Sequence, residues 1–256
     1  MVMTCQGCRS GEGLDFDFSM AFQPIYDIGA ERVWGYEALV RGLAGEGAGT
    51  ILSKVTPETK YRFDQACRVK ALQLAARLFP RGSDLRLSIN FMPNAVYEPA
   101  ACLKATLSAA AEHRFPLRRL MFEFTENEAI VDTPHLKRIL AEYRKRGFTT
   151  ALDDFGAGYA GLGLLADFQP DLVKIDMHLI RGVDTDRARQ VIVAAIVTMA
   201  RELDVQILAE GIETEAEFVT LKAAGIRLFQ GYWFARPAFQ ALPPVEVHAA
   251  ESGLVA

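Results

Sequence analysis

Phe148-Thr149-Thr150-Ala151-Leu152-Asp153-Asp154-Phe155-Gly156-Ala157-Gly158 begins as a β-branched, apolar strand and ends in two adjacent carboxylates and a glycine turn. Neighbouring residues on a strand point to opposite faces. Asp153 and Asp154 can therefore serve one site only where the strand ends and the backbone swings round, at the glycines. Two adjacent carboxylates repel and resist burial unless a cation lies between them. The pair reads as a shared metal ligand, against the plainer alternative of a solvated loop carrying two acids.

Outward from this stretch the chain alternates between strands and helices. Before it, 20–28 and 32–40 read as a hairpin around Asp27-Ile28-Gly29-Ala30-Glu31, followed by a glycine-rich loop, 42–49. Thr56 and Pro57 supply an N-cap and first-turn proline for a long helix stopping near Pro80. Strands over 85–91 and 120–125 alternate with helices over 98–113 and 134–146, the latter closed by Gly147. After it come a strand at 172–176, a helix at 186–203 with Ile192, Ile196, Met199 and Leu203 on one side, a strand at 205–209, a helix at 213–224 and a strand at 227–230. Continuous apolar strands alternating with helices predict a parallel sheet. About eight strands in 256 residues favour a closed barrel. The expected fold is α/β, a modified (β/α)8 TIM-type barrel whose first strand is antiparallel. Residues 1–17 read as a flexible arm and 18–256 as the barrel, with Pro243-Pro244 in a tail outside the core.

Composition bounds the partners. With 28 Lys and Arg against 32 Asp and Glu the net charge is −4, and no basic block offers the many phosphate contacts that long nucleic acid needs. No apolar run approaches the roughly 20 residues of a membrane span, and no signal pattern opens the chain, so the cytoplasm is the expected location. Cys5 and Cys8 have redox or metal spacing, but a lone pair cannot complete a tetrahedral zinc site; reduced thiols in the arm are the simpler reading.

Polar residues recur near the C-terminal ends of successive apolar strands: Glu37, Asn90, Glu123, Asp153 with Asp154, Lys174 with Asp176, Glu210 and Gln230. That is the active face of a barrel enzyme, where residues distant in sequence converge. Carboxylates with one amide oxygen are hard ligands suited to Mg²⁺ or Mn²⁺, while His113, His135, His178 and His248 are too scattered for a zinc-like set. Six such oxygens exceed what one Mg²⁺ takes from protein and point to two ions bridged by an aspartate, an arrangement suited to phosphodiester hydrolysis. Lys174 would orient or help deprotonate the attacking water. Arg41 shares a strand face with Glu37 and would meet a phosphate at the rim, unless it forms a rim salt bridge. Gly156-Ala157-Gly158-Tyr159-Ala160-Gly161, with Asp176 further on, mimics a dinucleotide-binding fingerprint. Two carboxylates ahead of the glycines would repel a pyrophosphate, and the stretch is too short for a crossover helix. A mobile loop beside the site is the expectation.

These motifs resemble the EAL domain, the bacterial cyclic-di-GMP phosphodiesterase family. The likeness runs from about Ala21 to Pro237: Gln23-Pro24-Ile25, Glu37-Ala38-Leu39-Val40-Arg41, Ser88-Ile89-Asn90, Glu123-Phe124-Thr125-Glu126, Asp153 to Tyr159, Lys174-Ile175-Asp176, Glu210-Gly211-Ile212-Glu213 and Gln230-Gly231-Tyr232. The resemblance implies one metal held by Glu37, Asn90, Glu123 and Asp153, and a second by Asp153, Asp154 and Glu210. It implies that Lys174 contacts the nucleophilic water, and that catalysis rests on Lys174, Glu210, Glu37 and Asp153. Gln23, Arg41, Asp176, Glu213 and Gln230 would lie on the substrate side; Glu213 could equally be an acid placed for a helix dipole. Glu126 would anchor the loop after Asp154, which in the family often joins a dimer contact. The implied product is linear pGpG, the implied cofactor Mg²⁺ or Mn²⁺ with Ca²⁺ inhibitory, and the implied partners a second copy of the chain and a separate sensory or regulatory protein.

Two other readings stay open. A non-hydrolysing cyclic-di-GMP receptor or protein-interaction module could use the same fold, although it has no need of a full two-metal cage. An enolase-like barrel also combines acids, Mg²⁺ and a lysine base, but accounts less well for the Asp153-Asp154 pair.

Overall fold

The computed structural model describes residues 14–96, 98–125, 132–158 and 161–245. Strands β1 (Ser19–Asp27) and β2 (Arg32–Arg41) form the expected antiparallel hairpin. Its turn is fixed by Asp27, whose Oδ1 accepts from the backbone N–H of Gly29 (2.8 Å) and Ala30 (3.1 Å). From β2 the sheet continues in parallel through β3 (Arg86–Asn90), β4 (Leu120–Thr125), β5 (Thr149–Phe155), β6 (Leu172–Ile175), β7 (Gln206–Ala209) and β8 (Leu228–Phe229). Strand β8 then pairs antiparallel with β1, Tyr26 opposite Phe229, and closes the barrel. The fold is the modified barrel that the alternation predicts.

Helices cover the outside: α1 (Ala48–Leu52), α2 (Lys60–Leu78), α3 (Pro99–Cys102), α4 (Lys104–Glu112), α5 (Thr133–Lys145), α6 (Gly161–Asp167), α7 (Met177–Ile180), α8 (Arg187–Glu202) and α9 (Glu215–Ala223). Several local expectations need correcting. Thr56 does not cap α2; its N–H donates to Thr59 Oγ1 (2.9 Å) in a preceding turn, and the helix starts at Lys60. The segment between β5 and β6 is a true crossover, because the seven residues of α6 bury Leu164 and Leu165 and return the chain to the next parallel strand. On α8 the buried stripe is Val193, Ile196 and Ala200, whereas Ile192 (44 %) and Leu203 (38 %) are exposed. At the chain's ends, Leu14 and Phe16, read with the arm, pack on the core, and the Phe16 ring lies 6.0 Å from that of Phe63. A short strand β9 (Ala238–Phe239) pairs with β1, and Leu242 and Val245 pack behind it, so the stretch around Pro243-Pro244 lies against the core. Among the described residues no helix is long and apolar enough to cross a membrane.

The barrel interior explains where the site must be. Ile25, Met121, Ala151, Leu172, Leu208 and Leu228 form one apolar cluster with Trp34 packed against it. Side chains alternate along a strand, so the next inward position lies two residues away. Those positions are Gln23, Glu123, Asp153, Lys174, Glu210 and Gln230. An apolar plug fills the lower barrel, and the layer directly above it is polar.

Candidate metal centre and substrate cavity

Asp153 and Asp154 are brought together differently from the sequence expectation. Strand β5 continues to Phe155, and its pairing with β6 shifts between Leu152 and Phe155, the mark of a β-bulge. Asp154 itself takes the left-handed conformation, φ 55°, which aspartate tolerates better than most residues. Its N–H donates to Asp153 Oδ1 (2.9 Å), and Thr125 Oγ1 donates to Asp154 Oδ2 (2.7 Å). The bulge turns two consecutive carboxylates toward one mouth.

Around Asp153 the layer converges. Lys174, 1 % exposed, places Nζ 2.6 Å from Glu210 Oε1, 2.8 Å from Glu123 Oε2, 3.1 Å from Asp153 Oδ1 and 3.6 Å from Glu37 Oε2. An ammonium has three protons, so four carboxylates are one more than it can serve directly. Glu37 is completed by neutral donors: Asn90 Nδ2 at 2.9 Å and Gln230 Nε2 at 2.7 Å. Gln230 Nε2 also lies 3.2 Å from Gln23 Oε1, and Gln23 Nε2 donates to the Ala235 carbonyl (3.2 Å).

The electrostatics show a shortage of positive charge. Burial pushes the Glu123 carboxyl up to about 8, with the charges of Glu37 and Asp153 adding to it and Lys174 opposing. Burial likewise raises Asp153 and Glu210, the latter well above the usual carboxylate range. Lys174 is held far above its ordinary value: burial works against its charge, but Asp153, Glu123, Glu210 and Glu37 outweigh burial. Glu37 alone is lowered, since Lys174 and the Gln230 and Asn90 donors overcome its burial.

The donor set fits divalent cations. Oxygens of Glu37, Glu123 and Asp153 lie within 4.8 Å of one another, and so do oxygens of Asp153, Asp154 and Glu210. Asp153 belongs to both groups. Glu123 Oε1 is buried with no hydrogen-bond partner among the described residues, a costly state for a carboxylate unless a cation takes it up. Fully ionised, these five carboxylates and one ammonium carry a formal charge of −4, which two divalent ions would balance.

A cavity of about 320 Å³ opens above this layer, lined by Gln23, Glu37, Asp153, Asp154, Lys174, Asp176, Glu210, Glu213 and Gln230, together with Met177, Gly211, Gly231 and Tyr232. Asp176 caps α7, its Oδ1 accepting from His178 N (2.8 Å) and lying 2.6 Å from His178 Nδ1. Glu213 precedes the α9 cap and pairs with Arg181 (2.9 Å). Arg41 is not in the cavity wall; it sits further along β2 and donates to its neighbour's carbonyl, Val40 O (2.7 Å). Glu126 lies outside the described residues. Sequence reasoning missed Thr125, Met177 and Tyr232. Thr125 carried a signal, since it stands two residues after Glu123 and pairs with Asp153 across β4 and β5. Tyr232 stands in the quoted Gln230-Gly231-Tyr232 motif but carries no role there, and Met177 directly follows the expected strand 172–176; neither is a charged or amide side chain, so a search for such groups at strand ends passes over both.

The EAL domain family model matches residues 14–237. The chain belongs to the EAL domain family. A standalone EAL protein from Vibrio cholerae O395, in its c-di-GMP bound form, is 53% identical, with a TM-score of 0.87 over 91% of this chain and 97% of that one. Klebsiella pneumoniae BlrP1, in a manganese/cy-diGMP complex, is 34% identical, with a TM-score of 0.82 over 87% of this chain and 56% of that one. Two curated relatives are each 30% identical over 88% of this chain. They are the blue light- and temperature-regulated antirepressor BluF of Escherichia coli, covered over 55% of its length, and the cyclic di-GMP phosphodiesterase PA2567 of Pseudomonas aeruginosa, covered over 39%. The chain thus spans about half or less of the length of these curated relatives.

Proposed function

We propose that this EAL chain is a metal-dependent phosphodiesterase that hydrolyses cyclic di-GMP to linear pGpG. The observation that supports it most is the pair of carboxylate triads sharing Asp153, set around Lys174 above an apolar plug. The likeness to a c-di-GMP bound EAL protein and to a relative named as a cyclic di-GMP phosphodiesterase supports cyclic di-GMP as the substrate.

In this reading Glu37, Asn90, Glu123 and Asp153 hold one cation, and Asp153, Asp154 and Glu210 a second. Asn90 turns its Nδ2 to Glu37, which leaves its amide oxygen as the ligand atom. Mg²⁺ or Mn²⁺ would supply Lewis acidity at the phosphate and an acidified water. The protein does the rest. With cations holding the carboxylates that Lys174 serves in this structure, its ammonium would be free to orient the water toward phosphorus and offer it a hydrogen bond. The water oxygen bonds to phosphorus as one P–O3′ bond breaks, which opens the ring and leaves the phosphate on the 5′ side, and a proton from the water ends on the freed 3′ hydroxyl. Gln23, Asp176, Glu213 and Gln230 face the substrate from the cavity wall, with Arg41 meeting a phosphate further out and Glu126 anchoring the loop after Asp154. Ca²⁺, larger and looser in geometry, would compete and inhibit. Homodimerisation, a separate regulatory protein and a cytoplasmic location belong to the same reading.

Cyclic di-GMP incubated with protein and Mn²⁺, then separated chromatographically, should yield the linear dinucleotide. Glu37→Ala and Lys174→Ala should each lower kcat by a factor on the order of 10³ or more while the chain still folds and unfolds in one cooperative transition, Lys174→Ala at a lower temperature. Undiminished turnover in either variant defeats the assignment. The name of BluF supports the second reading, a non-hydrolysing regulator on this fold. Binding of cyclic di-GMP without any linear product would favour that one.

A further inference from the structure

Glu217 stands in the first turn of α9 and is only 2 % exposed. With Thr214 it forms a capping box: Thr214 Oγ1 accepts from Glu217 N, and Glu217 Oε2 accepts from Thr214 N, both at 3.2 Å. A capping box needs nothing more. Yet Oε2 also accepts from Glu213 N at 3.0 Å. The second oxygen, Oε1, faces another part of the chain, accepting from Gly182 N at 3.2 Å and Arg181 Nη1 at 3.3 Å.

Those two groups of donors come from different loops. Arg181 and Gly182 follow α7, in the connection after β6; Glu213 and Thr214 follow β7. Arg181 doubles the link, with Nη2 2.9 Å from Glu213 Oε1 and 3.4 Å from the Gly211 carbonyl. The loops also touch directly at Gly211, φ 67°, where a Cβ would lie 2.6 Å from Met177 Cβ. Asp176, Met177, Glu210, Gly211 and Glu213, one side of the substrate cavity, all belong to these two connections.

We propose that Glu217 is a positioning residue for substrate, its two oxygens strapping the β6 and β7 loops together at the spacing the cyclic dinucleotide meets. The proposal rests on the cyclic-di-GMP reading above. A carboxylate suits the task because it only accepts, and here four donors converge on two oxygens. An amide would still serve one pair of donors but would turn N–H groups toward the other.

Glu217→Gln separates the two roles. Its one carbonyl oxygen keeps the cap with Glu213 and Thr214, while its NH₂ faces Gly182 and Arg181 and opens the strap. Glu217→Ala loses both. The expected result for Glu217→Gln is a melting temperature close to wild type. Its KM for cyclic di-GMP with Mn²⁺ and its calorimetric Kd with Ca²⁺, which would not support turnover, should rise about fivefold or more, and kcat should stay within about twofold. Hydrogen exchange should quicken over 181–186 but not over 213–218, whereas Glu217→Ala quickens both. Wild-type KM, Kd and exchange in Glu217→Gln, with losses only in Glu217→Ala, would reduce Glu217 to a helix cap and overturn the proposal. A wild-type protein that binds cyclic di-GMP without cleaving it sinks the hydrolysis reading alone, and the Kd ratio still decides the strap. Failure of the wild type to bind at all overturns both.

Discussion

Lys174 is the residue on which the site's charge balance turns. Four carboxylates surround one ammonium, and burial makes every uncompensated charge among them expensive. The metal-free protein answers by keeping protons: Glu123 titrates near 8 instead of 4.5, and Asp153 and Glu210 are raised as well. The sign follows from linkage. A carboxylate whose folded pKa lies above its unfolded one stabilises the fold fully below the unfolded value and loses that contribution as pH rises through the folded value. Glu37, lowered, runs the other way, and its contribution fades only at acid pH. The metal-free protein should therefore melt lower as pH rises from about 5 to about 8, by several degrees. Glu123→Gln should remove much of that slope, which differential scanning calorimetry in EDTA would read. A melting temperature that is flat or rising over this window in the wild type would refute the raised values. Which residue types gather here was readable from sequence, because acids and one lysine recur after apolar runs. Their individual titration was not, since it depends on distances across six strands.

At the scale of the element, the Asp153-Asp154 bulge and helix α8 show where pattern reading succeeds and where it slips. The strand, the two acids and the glycines are legible in the sequence, and the glycines point to a turn at Gly156 and Gly158. The chain turns earlier, at Asp154 within β5, held by Asp153 and Thr125. An aspartate in the left-handed region has no composition signal that distinguishes it from an ordinary strand aspartate. Helix α8 was placed to within a residue at each end, its start fixed by Asp186 accepting from Ala188 N and Arg189 N. Its buried face was not, because Val191, Ile192, Val193, Ile196 and Val197 surround most of the helix with apolar groups and leave no single stripe. Two identical substitutions test the observed face. Ile196→Ala should cost about 2–5 kcal/mol in urea denaturation and Ile192→Ala less than about 0.5. Equal losses would mean that α8 is rotated from the position described.

For the whole molecule, the architecture follows from alternation carried round a closed sheet. Strands β4 to β8 each contribute an inward apolar residue and, two positions on, an inward polar one; Met121 with Glu123 and Leu172 with Lys174 are two such pairs. Closure by the antiparallel β1 adds Gln23 from a strand running the opposite way, next to Gln230. The hairpin and the parallel strands were visible in the sequence, which made the barrel and its polar mouth derivable. The α6 crossover and the packing of 238–245 on β1 were not, since short helices and two-residue strands carry too little periodicity. The barrel's central feature is two groups of carboxylates that share Asp153, which the proposed function fills with two divalent ions. Calorimetric titration of Mn²⁺ into metal-stripped protein tests that most directly. Two ions per chain should bind with proton release, and Asp154→Ala should retain one of them. No binding in the wild type, or undiminished binding in Asp153→Ala, would contradict the account.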